Sequence, residues 1–426
     1  MKNNKITNVK AREIIDCRWF PTVQVEVEVD GQITGVGNCP AGRSTGSDEA
    51  WELRDGDKRY SGKGCEKAVK NIETEIRDAL IGLDVTDQRK IDRTMIELDG
   101  TPNKKRLGAN AIAGTSLACA YAAAAALNLP LYRYLNNNAH VLPVPLLNLL
   151  NGGKLTSNFL EFQEFCIFPV GAGSFKQAME WGHEINEILR EIVIRNYGKI
   201  AANTGDEGGF ATPEKSVRKT LEHLIDAVEK AGYANQVKYG FDCAATHWYD
   251  AETKKYTLED TEYTTDGLME YYKKLVADYP IVSMEDPFDE NDIHGFARAT
   301  KELGIQIVGD DFFVTNTGIM KTKMAQGCAN AMLWKFNQVG CLTQAFDAAQ
   351  LAFRSGYGVM VSERSGETED SAISDLTVAL EAGQIKTGAG VRSERVAKYN
   401  RLLQIEAELG KEAVYAGEFY KNAYLK

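Results

Sequence analysis

The chain has 426 residues, 44% hydrophobic and 26% charged, a globular balance that excludes a disordered or fibrous protein. Its 49 Lys+Arg against 60 Asp+Glu leave a formal net charge of −11, the wrong sign for a general nucleic-acid or anionic-membrane binder. A small anionic substrate remains compatible, because charge inside a cleft can oppose that of the whole surface.

The opening residues, MKNNKITNVKAREI, carry no apolar signal-peptide core. Eight scattered cysteines (17, 39, 65, 119, 166, 243, 328, 341) with no CxxC pair read as reduced thiols, so a cytoplasmic location is expected. Residues 21–37, PTVQVEVEVDGQITGVG, alternate apolar and polar around an Asp-Gly turn and predict a hairpin. Helices are predicted over 65–80, 87–98 and 109–127, the last ended by Asn128 and Pro130. That last stretch is mostly alanine, interrupted by Thr115, Ser116 and Tyr121, and predicts a buried core helix, not a membrane span. Strands followed by helices predict an α+β N-terminal domain over 1–136.

From 137 to 426 the pattern changes. Short apolar runs recur, each ending in polar residues: VPLLNLL, FQEFCIF, KIAANTGDEGGF, VKYGFDCAA, PIVSMEDPF, IQIVGDDFFV, NAMLWKF, GYGVMVSERSG and QIKTGAG. Helical patterns separate most of them, over 175–197, 214–232, 265–279, 297–303 and 342–356. Apolar strands alternating with helices predict an α/β fold with a covered parallel sheet, closed as a TIM-like (β/α)8 barrel.

Asp242, Glu285, Asp310, Lys335, Arg364 and Lys386 each stand at or just past the end of an apolar run, spaced 43, 25, 25, 29 and 22 residues apart. In a barrel those ends converge on one mouth, where barrel chemistry is found. Three carboxylates without His or Cys make a hard oxygen site that suits Mg²⁺, as one ion or a pair. A lysine near a metal and a second cation can act as a general base, which fits Lys335 and Lys386. TGDEGGF sets Asp206 and Glu207 in a glycine-rich turn suited to a general acid. Arg364-Ser365-Gly366 offers a guanidinium fork and a hydroxyl for a phosphate or carboxylate. This inventory fits proton abstraction next to a carboxylate, with the metal holding the enolate.

At these residues the chain resembles the enolase family. The likeness runs from about Thr7 to Tyr420 and is densest in ELRDGDKRYSGKG, IELDGTPNKKRLGANAI, LPLYRYL, LNGG, FQEF, NTGDEGGF, SMEDPF, GDDFFVTNT, RSGETEDS and QIKTGAGVRSERVAKYNRLLQIE. The resemblance implies that Asp242, Glu285 and Asp310 hold the first Mg²⁺ and that Lys335 removes the C2 proton of 2-phosphoglycerate. It implies that Glu207, assisted by Glu164, protonates the leaving hydroxyl, that Lys386 with Gln163 grips the carboxylate, and that Arg364 and Ser365 contact the phosphate. It also implies a homodimer or larger homo-oligomer.

Four motifs depart from the family. Its first mobile loop reads Ser-Gly-Ala-Ser-Thr-Gly; here Ala41-Gly42-Arg43-Ser44-Thr45-Gly46 loses the serine that binds a second Mg²⁺. One tight ion is therefore expected, with the second site doubtful. Asn-Gly-Gly-Ala-His becomes Asn151-Gly152-Gly153-Lys154-Leu155, and Ser-His-Arg-Ser becomes Ser362-Glu363-Arg364-Ser365. Near the N-terminus, Asp-Ser-Arg-Gly-Asn-Pro becomes Asp16-Cys17-Arg18-Trp19-Phe20-Pro21. Glu363 repels a phosphate dianion unless paired, while Arg43 and Lys154 add positive charge as substrate-binding candidates. His247, where the family has Glu, reads as structural. Three functions fit: a phosphopyruvate hydratase of glycolysis, a paralogue acting on a phosphonate or carboxyphosphonate in natural-product biosynthesis, or a non-catalytic binding protein.

Overall fold

The structure, a computed structural model, describes residues 3–43 and 46–421. Its N-terminal part is a three-stranded antiparallel sheet of Ile6–Ile15, Pro21–Val29 and Ile33–Asn38, covered by helices. The first of these strands lies outside the predicted hairpin. In the second, alternation puts Val23, Val25, Val27 and Val29 on the inner face, all fully buried. Asp30 and Gly31 carry the positive φ angles, 51° and 70°, that the hairpin turn requires.

The helix Ala109–Ala126 lies directly on this sheet. A Cβ at Gly35 would sit 2.1 Å from the Ala122 nitrogen, so a glycine strand facing an alanine helix permits an approach that larger residues forbid. Long and apolar enough to cross a membrane, it is instead 89% buried within the fold. The predicted 65–80 helix is Glu66–Asn71, a π turn at Ile72–Ile76, then Arg77–Leu80. Its buried Ala68, Ile72, Ile76 and Leu80 recur every four residues, more than the 3.6 of an α-turn. The wider turn keeps them on one face.

Eight strands close the barrel in the order Val144–Asn151, Glu164–Phe168, Lys238–Asp242, Ile281–Glu285, Gln306–Gly309, Ala331–Trp334, Gly358–Ser362 and Gln384–Lys386. The predicted all-parallel arrangement fails at one strand: Glu164–Phe168 is antiparallel to both neighbours. Its connection from the first strand, 152–163, holds only the turn Gly153–Leu155, too little for a helical crossover.

The reversal has a consequence for KIAANTGDEGGF, predicted as a strand-ended run. It is no barrel strand; its start is the short helix Lys199–Ala202 and the rest is loop. A reversed second strand needs two helices to bring the chain back to the starting end, and Phe175–Tyr197 and Val217–Lys230 supply them. The loop between those helices therefore arrives at the mouth, where bridges from Phe210 to Leu150 and Thr204 hold it.

The cap is tied to the barrel through buried polar contacts. Asp370 accepts from the Asn38 backbone N–H at 2.9 Å and from Tyr121 Oη at 2.9 Å. Asp92 accepts from the Thr343 N–H at 2.8 Å.

Candidate active site

Barrel geometry gathers the charged residues at one end. Asp242 and Glu285 end adjacent strands and sit opposite each other across the ladder, while Asp310 and Lys335 directly follow the next two strands. Lys386 ends the eighth strand, and Arg364 lies two residues past the seventh. Gln163, Glu164, Glu207, Asp242, Asp310, Lys335, Arg364, Ser365 and Lys386 line a single cavity, joined by Ser362 and Glu363. Glu285 lies beneath, in a narrower space that also reaches Asp242 and Lys386.

The Lys386 ammonium is the hub. It stands 2.7 Å from Glu285 Oε2, 3.0 Å from Glu164 Oε1 and 3.2 Å from Asp242 Oδ2. Burial works against its charge, but Asp242, Glu164 and Glu285 hold its pKa well above the ordinary lysine value. Glu285 is pushed well above the carboxylate range by burial and then by Asp242. Burial also raises Glu164 well above that range, against the pull of Lys386.

Lys335 Nζ lies 2.6 Å from Asp310 Oδ2. Burial depresses this amine, yet Asp310 outweighs it and leaves Lys335 above its usual value. Burial likewise raises Asp310, and Lys335 with Lys386 brings it below the usual aspartate value. Base candidate and acidic centre are thus in direct contact.

Hydrogen bonds fix two of the three carboxylates. Asp242 accepts from the Ala244 N–H at 2.9 Å and from Gln163 Nε2 at 3.0 Å; Asp310 Oδ1 accepts from Gln338 Nε2 at 2.8 Å. With no sulfur or imidazole in the set, the donor chemistry fits Mg²⁺. A tighter acidic group lies alongside, since ligand oxygens of Asp286, Asp310 and Asp311 fall within 4.8 Å of one another. Asp286 is already engaged there, accepting the N–H groups of Asp310 at 2.9 Å and Asp311 at 2.8 Å. It fixes the corner that presents Asp310. Ala41, fully buried, is tied by both backbone groups to Gly366 and brings no side-chain oxygen for a second ion.

Elsewhere in the cavity lining, Glu207 accepts from Asn148 Nδ2 at 3.2 Å and Ser365 Oγ at 3.3 Å. Arg364 is buried and forms a two-pronged pair with Glu49, at 3.0 and 3.1 Å, plus a bond to Asn337 Oδ1 at 3.2 Å. Glu363 is paired, as the sequence demanded: Arg395 Nη1 lies 2.5 Å from its Oε2. Arg395 also donates to the carbonyls of Arg364, Ser365 and Asp206, and so ties residues 364–365 to the Glu207 loop.

Two substrate-binding candidates stand outside the cavity. Arg43 pairs with Asp206 across the rim, linking the first loop to the Glu207 loop. Lys154 is exposed on the turn Gly153–Leu155 and faces half-buried His247, which its charge and burial hold below the usual histidine value. Leu155, the last residue of that turn, is buried. Ser44 and Thr45 of the departed first loop lie outside the described residues. Glu49, Asn337 and Arg395 were not foreseen; of the three, Arg395 alone lies within a quoted stretch of likeness.

A carboxylate-and-lysine centre at the mouth of an eight-stranded barrel is equipped for acid–base chemistry. The comparisons with known proteins narrow this. Residues 6–135 match the model described as "Enolase, N-terminal domain", and residues 139–424 match "Enolase, C-terminal TIM barrel domain". Relatives named "Enolase" include those of Thermococcus kodakarensis, 53% identical over 426 residues with 99% of each chain covered, and Methanocaldococcus jannaschii, 53% over 418 residues with 98% of each covered. The chain belongs to the enolase family. It is a carbon–oxygen lyase of the phosphopyruvate hydratase class, the class that dehydrates 2-phosphoglycerate in glycolysis.

Proposed function

We propose that this chain interconverts 2-phosphoglycerate and phosphoenolpyruvate plus water, using the residues that share the barrel-mouth cavity. The observation that carries the reading is Lys335, in contact with Asp310, sharing one cavity with Glu207 and Lys386. A non-catalytic protein has no need of that set.

Lys386, kept charged by three carboxylates, grips the substrate carboxylate, with Gln163 beside it. Arg364 exchanges the Glu49 carboxylate for the phosphate, an anion of the same bidentate geometry, and Ser365 adds a hydroxyl. Lys335 takes the C2 proton. Asp242, Glu285 and Asp310 would hold Mg²⁺, which would supply positive charge for a developing enolate, and with Asp310 engaged there Lys335 would lose the carboxylate that favours its charged form. Glu207, assisted by Glu164, protonates the departing C3 hydroxyl. Arg43 and Lys154 supply positive charge at the rim for an incoming anion.

The reading extends to a capping domain over 1–136 and a catalytic barrel over 137–426. It extends also to one tight Mg²⁺, a cytoplasmic setting and a homodimer or larger homo-oligomer. The deciding experiment is turnover of 2-phosphoglycerate with Mg²⁺. A rate in the ordinary enzyme range, about 1–10³ s⁻¹, is expected. Failure with 2-phosphoglycerate alongside turnover of a phosphonate analogue would transfer the same chemistry to another acid.

A further inference from the structure

Glu363 stands where the family places a histidine, directly before the two residues read as phosphate contacts. Its Oε2 is engaged by Arg395 Nη1 at 2.5 Å and by Thr387 Oγ1 at 2.8 Å. Its Oε1 is buried without a hydrogen-bond partner, in a side chain that is 4% exposed and lines the cavity shared with Glu207, Arg364 and Lys386. Gly388, at φ +73°, packs behind it: a Cβ there would come within 3.0 Å of Oε1. An unpaired buried carboxyl oxygen is costly, and here one side is packed while the cavity adjoins the residue.

We propose that Glu363 is a specificity-determining residue of the phosphoryl subsite, holding a phosphoryl oxygen of the substrate through one proton shared with Oε1. The proposal rests on the 2-phosphoglycerate reading above and deepens it. A carboxylate facing a phosphate dianion repels it. One proton between them turns repulsion into an O–H group donating to a phosphoryl oxygen, and at pH values where free Glu363 has lost that proton a dianionic substrate binds with its uptake from solvent. Burial raises Glu363 to about 8; Arg395 opposes this rise, while Glu207 and Glu367 add to it. Glu367 is itself paired with Lys398 at 3.0 Å, and the Tyr399 hydroxyl lies on the helix behind. Near neutral pH the proton is therefore present, and alkaline conditions remove it.

The test is steady-state kinetics with 2-phosphoglycerate and Mg²⁺ from pH 6.5 to 9.5 on the parent chain, Glu363→Gln and Glu363→His. Relative to both variants, the parent KM should climb toward about tenfold per pH unit above roughly 8, while the kcat ratio stays flat. Parallel KM profiles for the parent and Glu363→Gln overturn the proposal. A second arm measures proton uptake on 2-phosphoglycerate binding, by calorimetry in two buffers of different ionisation enthalpy, on Lys335→Ala. Uptake near pH 8 that disappears when Glu363→Gln is added supports the shared proton; equal uptake refutes it. This arm needs binding and not turnover. A parent chain that binds without reacting sinks the reaction reading and still decides Glu363, whereas absence of binding overturns both.

Discussion

Replacing Arg395 by methionine removes a side chain that ties residues 363–365 to the Glu207 loop, leaving the Ser365–Glu207 bond between them. Arg395 is fully buried and donates to the Arg364 carbonyl at 2.8 Å, the Ser365 carbonyl at 2.8 Å and the Asp206 carbonyl at 3.2 Å, besides pairing with Glu363. Hydrogen bonds from a charged donor contribute about 1.5–3 kcal/mol each, so three of them set an upper range of roughly 5–9 kcal/mol. Methionine fills much of the volume and the loops relax, so we expect a loss of about 4 kcal/mol for Arg395→Met. Arg395→Lys keeps the charge but lacks the planar fork that reaches separate carbonyls, and should lose roughly half as much. Urea unfolding, followed by the fluorescence of the five tryptophans, measures both. Activity should fall further than stability accounts for, with kcat/KM on 2-phosphoglycerate down about 10²-fold, because the phosphate contacts and the acid lose their common anchor. A methionine variant within about 1 kcal/mol of the parent would refute this account, as would a lysine variant matching the parent.

Lys335→Ala should lower kcat by about 10²–10⁴-fold while 2-phosphoglycerate still binds, and should abolish deuterium exchange at C2; retained exchange moves the base elsewhere. Calorimetry of chelator-stripped protein should find one tight Mg²⁺ lost in Asp310→Ala, with a second weak or absent; two equally tight ions would show the hydroxyl missing at Ala41 to be dispensable. Because the Arg43–Asp206 pair is partly exposed, Arg43→Ala should change stability by less than about 1 kcal/mol and raise KM severalfold. An unchanged KM removes Arg43 from substrate handling. Glu363 also carries a stability signature. Its folded value of about 8 lies above the ordinary 4.5, so the folded state binds the extra proton, and the stability this confers fades as pH rises between them. Glu363→Gln should therefore gain on the parent from pH 5 to 8 and level off above, read from urea midpoints; a constant difference would mean that Glu363 is ionised throughout.

Much of this fold is legible in one dimension because it rests on local periodicity. The Val23–Val29 alternation, the Asp30-Gly31 turn and the alanine run of 109–126 each prescribe their own geometry. The strand-end charges were also readable, since a chain that repeats strand and helix must deliver Asp242, Glu285, Asp310 and Lys335 to the same rim. The direction of Glu164–Phe168 was not, because an apolar run reads alike both ways and only the short 152–163 connection forces its reversal. That reversal is what carries Glu207 to the mouth from between two helices. Three-dimensional packing alone decided the partners of the cations: Glu49 on Arg364, Glu363 on Arg395 and three carboxylates on Lys386. Buried charges choose counter-charges through space, where separation along the chain has no meaning and desolvation penalises any left unmatched.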